Sequence, residues 1–107
     1  MQRIMSEEDL EALFSADLAV LYKDSPTCPL CVSALDEVET FLRQQPNLTA
    51  FTVDARAQRP LSQLIAARSG VEHESPHVII FRRGTAIWSV SHQDITAAAL
   101  AHQFPVA

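Results

Sequence analysis

The chain has 107 residues, enough for one domain that buries a core without disulfide staples or metal. Its 48% apolar and 20% charged residues suit a globular protein, and no window is long enough to span a bilayer. At a net charge of −5, with seven arginines and a single lysine, it has no basic stripe with interleaved aromatics, which argues against nucleic acid; Arg82-Arg83 reads as a strand end meeting a turn.

In chain order, Met1 to Glu8 lacks the basic-then-apolar order of a signal peptide, so the expected location is the cytoplasm. There, a lone cysteine pair points to catalysis or metal binding before a structural bridge. Ser6 can cap a short helix over Ser6 to Phe14, with Glu7, Glu8 and Asp9 in its first turn and an apolar stripe of Leu10, Leu13 and Phe14. Asp17 to Lys23 carries the continuous run Leu18-Ala19-Val20-Leu21-Tyr22, which suits a strand buried on both faces.

Both cysteines follow, in Ser25-Pro26-Thr27-Cys28-Pro29-Leu30-Cys31. The next pattern is a helix over about Pro29 to Gln45, with Leu35, Val38, Phe41 and Leu42 on one face. Cys28 therefore falls at a helix N-terminus, where unpaired N–H groups favour thiolate over thiol. Pro29 fits the first helical position, since the N–H it lacks would have no intrahelical partner. Cys31, one turn on, is within reach of a disulfide with Cys28.

Pro46-Asn47 ends that helix, and Leu48 to Val53 alternates as a second strand. Pro60 to Arg68 predicts a third helix, closed by Gly70. His77 to Arg82 holds the strongest β-forming run, Val78-Ile79-Ile80-Phe81. Arg83-Gly84-Thr85 is its hairpin turn and Ala86 to Ser91 its partner. Asp94 is expected to start a last helix carrying Ile95, Leu100 and Phe104. Crossover helices favour parallel pairing in the first half, and the tight turn requires antiparallel pairing in the second. The expected fold is α/β: a four-stranded mixed sheet with helices on both faces and an extra short N-terminal helix, the thioredoxin architecture, as one domain over residues 1–107.

With Cys28-Pro29-Leu30-Cys31 after the first strand and Ser75-Pro76 just before the third, the chain resembles the thioredoxin superfamily. The resemblance implies a cis Ser75–Pro76 bond facing the active-site sulfurs. Thr27-Cys28-Pro29, His73-Glu74-Ser75-Pro76, Trp88, Ser91-His92 and Ile95-Thr96 are together similar to the bacillithiol-system redox proteins, the monothiol bacilliredoxins. Two positions depart from that family, which usually has serine where this chain has Cys31 and is expected to have glutamine at His77. The glycine pair of dithiol glutaredoxins is missing, with Arg83-Gly84 in its place.

What the resemblance implies is a thiol–disulfide oxidoreductase, acting as a monomer on S-thiolated client proteins. Cys28 is the nucleophile and Cys31 is available to resolve. Thr27, Pro29, Ser75 and Pro76 present the substrate. No cofactor or metal is expected, bacillithiol or a similar small thiol being the co-substrate. For the malate carboxylate of bacillithiol, Arg68, Arg82 and Arg83 are the arginines considered. His73 and His77 could tune the thiolate, His92 could cap the last helix, and Trp88 reads as packing. Many thioredoxins bury an acid beneath the cysteines; at that depth this chain has Tyr22 and no carboxylate. Three other readings stay open: a general dithiol thioredoxin or glutaredoxin, a metal or iron–sulfur module using Cys28 and Cys31, and an interaction domain with inert cysteines.

Overall fold

The computed structural model describes residues 1–25 and 29–103. In chain order the elements are β1 (Gln2–Arg3), α1 (Glu7–Ser15), β2 (Leu18–Asp24), α2 (Pro29–Gln44), β3 (Thr49–Asp54), α3 (Arg59–Ser69), β4 (His77–Arg82), β5 (Thr85–Ser91) and α4 (Ala97–Gln103). The strands form one mixed sheet in the order β1-β3-β2-β4-β5. β1 and β2 run parallel to β3, while β4 is antiparallel to β2 and β5 to β4. This is the thioredoxin fold, with one strand more than the sequence predicts. β1 is too short to show a period. It is pinned instead by the buried Ile4, whose N–H donates to the Thr52 carbonyl at 2.8 Å.

Alternation along β2 divides the core. Ala19 and Leu21 face α1 and α3, together with Leu10, Leu13, Phe51, Ile65, Ile79 and Phe81. Val20 and Tyr22 face α2 and α4, with Ala34, Val38, Phe41, Ile80 and Leu100. A central strand buried on both faces reads as the unbroken apolar run that the sequence shows.

The helix ends follow local chemistry. Ser6 caps α1 by accepting from the Asp9 N–H at 3.2 Å. Gly70 closes α3 in the left-handed region at φ 74°. Arg83 and Gly84 both have positive φ, the geometry of a two-residue hairpin turn. A Cβ on Gly84 would lie 2.8 Å from the Phe14 carbonyl oxygen, so only glycine lets the turn pass beneath α1.

The last helix begins later than predicted. Asp94 lies in a 3-10 turn, His92–Asp94, and α4 starts at Ala97. Thr96 serves as its cap, accepting from the Ala99 N–H at 3.1 Å, and Glu37 of α2 accepts from the Ala97 N–H at 2.8 Å. Phe104 lies outside the described residues.

Candidate functional site

The carboxyl ends of β2 and β3, the start of α2 and the turn into β4 meet at one edge of the sheet, the edge at which open α/β sheets bind ligands. Ser75–Pro76 forms that turn and is joined by a cis bond. Pro76 is buried, and its carbonyl accepts the His92 N–H at 3.0 Å, tying the turn to the end of β5. His92 thus holds this loop rather than capping the last helix.

Cys31 lies in the first turn of α2, only 4% exposed. Beneath it is Tyr22, fully buried on the α2 side of β2. Its hydroxyl is 3.2 Å from both the Cys31 carbonyl oxygen and an Asp24 carboxylate oxygen, so one proton is shared between two acceptors. Burial, followed by the Asp24 charge and Cys31, pushes the phenol above its ordinary range, and it stays protonated. The sequence reading of this level is corrected in one respect. A carboxylate is present, supplied by Asp24 two residues further along the same strand face, and it is bonded to the Tyr22 hydroxyl.

The opposite side of β2 differs in kind. Lys23 is fully buried on the α3 side, directly across the ladder from His77 of β4. Among the described residues, its Nζ makes no hydrogen bond, and neither does the buried His77 Nδ1 or the buried Ser75 Oγ. Desolvation lowers the Lys23 ammonium to about 8. It also lowers His77 to about 4, reinforced by the Lys23 charge and partly opposed by Glu74. His73, exposed on the same loop, is lowered by burial of its ring, then by Lys23 and Arg59. Its Nδ1 is 3.2 Å from Ser62 Oγ on α3. Glu74 is held below its ordinary value by a hydrogen bond with Ser91.

A cavity of about 410 Å³ opens over this side, lined by Ser25, Ala55, Arg56, Arg59, Ser62, Gln63, His73 and Ser75. The Asp54 carboxylate shapes its wall by accepting from the Arg56 and Ala57 N–H groups at 3.0 and 2.9 Å.

Of the site residues expected from sequence, Cys31, Pro29, Ser75 and Pro76 lie along this edge. Thr27 and Cys28 lie outside the described residues. The arginines considered for a carboxylate are engaged elsewhere. Arg68 pairs with Glu11 and covers the Phe14 ring at 4.1 Å, while Arg83 is 3.6 Å from Asp17. Arg82 and Arg83 border the hairpin end of the sheet with Asp17 and Leu18. Arg56 and Arg59 line the cavity instead. Among the described residues, no group of three or more His, Cys, Asp or Glu side chains is placed to hold a metal ion.

Comparison with known proteins agrees with this architecture. The family model described as "Monothiol bacilliredoxin BrxC" matches residues 2–100. A solved structure described as a candidate oxidoreductase with a thioredoxin fold is 28% identical, with a TM-score of 0.87 over 94% of this chain and 90% of that one. Fasciola hepatica thioredoxin superposes with a TM-score of 0.74 at 20% identity, covering 96% and 95% of the two chains. Trypanosoma brucei brucei thioredoxin gives 0.75 at 21% identity, over 95% and 85%. These last two show the shared fold.

Proposed function

The chain belongs to the monothiol bacilliredoxin BrxC family, and from that premise we propose that this thiol–disulfide oxidoreductase removes bacillithiol from S-thiolated client proteins. The Cys28 thiolate attacks the bacillithiol sulfur of the mixed disulfide. A Cys28–bacillithiol disulfide forms, and the client's thiolate leaves. Cys31 then attacks the Cys28 sulfur, expels bacillithiol as a thiolate and leaves the Cys28–Cys31 disulfide. Alternatively, a second bacillithiol attacks the bacillithiol sulfur, releasing reduced Cys28 and bacillithiol disulfide. The family match over residues 2–100 carries this reading. It is supported by Cys31, shielded in the first turn of α2, where an intramolecular target suits it better than an external one. Thr27, Pro29, Ser75 and Pro76 have the role of presenting the substrate. The protein works in the cytoplasm as a monomer.

Intact mass after mixing the reduced protein with a bacillithiolated client tests the proposal. Cys31→Ser is expected to accumulate a bacillithiol adduct, wild type to pass on to an internal disulfide, and Cys28→Ser to take up nothing. Both cysteines oxidised by a thioredoxin-type substrate, with no bacillithiol uptake by either protein, would replace this activity with general disulfide reduction.

A further inference from the structure

Lys23, His77 and Ser75 present a problem that the thiol chemistry leaves unsolved. Each holds a buried polar atom without a hydrogen bond among the described residues, and all three lie at the same corner of the sheet. Burying an ammonium without a partner is costly, and an unsatisfied buried group in a native structure calls for an explanation such as a functional role or a bound water or ion. The sole lysine of the chain stands here, following the apolar run Leu18–Tyr22 and preceding Asp24 at the end of β2.

The charged side chains on the cavity lining are of one sign. Arg56 and Arg59 flank the cavity mouth, and its wall includes the first turn of α3, where Gln58 provides no side-chain cap. The positive end of that helix dipole adds to the two guanidinium groups. The nearby carboxylates are committed elsewhere, Glu74 to Ser91 and Asp54 to two backbone N–H groups. Two cations, a buried ammonium behind them, hydroxyls from Ser62 and Ser75 and the imidazole of His73 form a donor-rich pocket that suits an oxyanion. The cavity volume is that of a small-metabolite site. Ser25, on its lining, is three residues before Cys28, a tether that spans at most about 11 Å.

We propose that this cavity is a carboxylate-binding pocket which holds an acid group of the small thiol co-substrate, with Ser62, His73, Ser75, Arg56 and Arg59 on its lining and the charge of the buried Lys23 close behind. It rests on the small-thiol activity proposed above and adds where the non-reacting end of that molecule is gripped. A carboxylate held on this lining sets a negative charge near the buried Lys23 ammonium, which makes no hydrogen bond among the described residues.

The test uses thioethers that cannot exchange, S-methyl bacillithiol and S-methyl glutathione, titrated into the reduced full-length protein and followed by backbone amide shifts. S-methyl bacillithiol is expected to perturb residues 55–63 and 73–77, with affinity at least tenfold weaker in Lys23→Met and in the surface variant Arg59→Gln. Lys23→Met is also expected to raise KM for the bacillithiolated client while kcat stays within about twofold, the pattern of lost ground-state binding. Binding of S-methyl glutathione alone at the same residues, with the same dependence on Lys23, would keep the pocket and remove bacillithiol as its ligand. Unchanged affinity and KM in both variants, with bacillithiol still transferred to Cys28, would overturn the pocket and leave the activity standing.

Discussion

At the end of β2, two consecutive side chains meet opposite fates. Tyr22 turns towards α2 and finds two acceptors, the Cys31 carbonyl and the Asp24 carboxylate. Lys23 turns towards α3, is equally buried, and finds none among the described residues. One side is a satisfied polar network that fixes the first turn of α2. The other is an unsatisfied cationic corner that shares Ser75 with the lining of a cavity. Satisfied buried networks add rigidity, whereas unsatisfied ones impose a cost that persists only where something else gains from it. The first arrangement is structural support for the cysteine helix, and the second is a place for a ligand.

The two sides of β2 are expected to differ most at Lys23. Lowering its ammonium from 10.5 to about 8 corresponds to about 3 kcal/mol of unfavourable burial at neutral pH. Lys23→Met is therefore expected to stabilise the ligand-free protein at pH 7 by about 2–3 kcal/mol, readable by urea denaturation. Destabilisation instead would mean that the ammonium has a partner in solution.

The pH dependence comes next. His77 is depressed to about 4 in the folded chain, so between about 6.5 and 4 the unfolded chain takes up a proton that the folded chain does not. Stability should fall as pH falls through that window, by up to about 3 kcal/mol, and His77→Gln should flatten the fall. Lys23 acts in the same direction at the other end. Between about 8 and 10.5 the unfolded chain still holds a proton that the folded one has lost, so stability rises with pH there. Lys23→Met should remove that rise. His73, Glu74 and His92 face the same corner, and their charges move the His77 midpoint without reversing its sign.

Smaller effects are expected on the satisfied side. Tyr22→Phe removes the donor shared by the Cys31 carbonyl and Asp24, and is expected to cost about 1–2 kcal/mol by thermal or urea unfolding. Asp24→Asn keeps an acceptor for the hydroxyl and should change stability by less than about 0.5 kcal/mol. Equal losses in the two variants would mean that the carboxylate charge, not the hydrogen bond, holds the network together.

The fold was largely legible because its signals are local. The Leu18–Tyr22 run, the Arg83-Gly84 turn and the glycine after α3 each state their own geometry. β1 was not legible, since two residues have no period and its placement depends on Ile4 reaching a distant core. The start of α4 moved to Ala97 because a 3-10 turn uses Asp94 first. At the site, the cysteine motif and Ser75-Pro76 are sequence signals, but the cationic corner is tertiary. Lys23, His77 and Arg59 are far apart in the chain and are brought together only by the sheet register and the placement of α3. One clue was available. A lysine that closes a strand whose run Leu18–Tyr22 is predicted to be buried on both faces points, by alternation, the opposite way from Tyr22.

The most direct measurement is an NMR titration of the Lys23 side chain, which has no other lysine to overlap it. In the reduced protein alone its midpoint should lie near 8, and saturation with S-methyl bacillithiol should move it upward, because a neighbouring carboxylate favours the charged form. A midpoint near 10.5 in both states would contradict the account, showing an ammonium that is already solvated or paired and a corner with no vacancy for an acid.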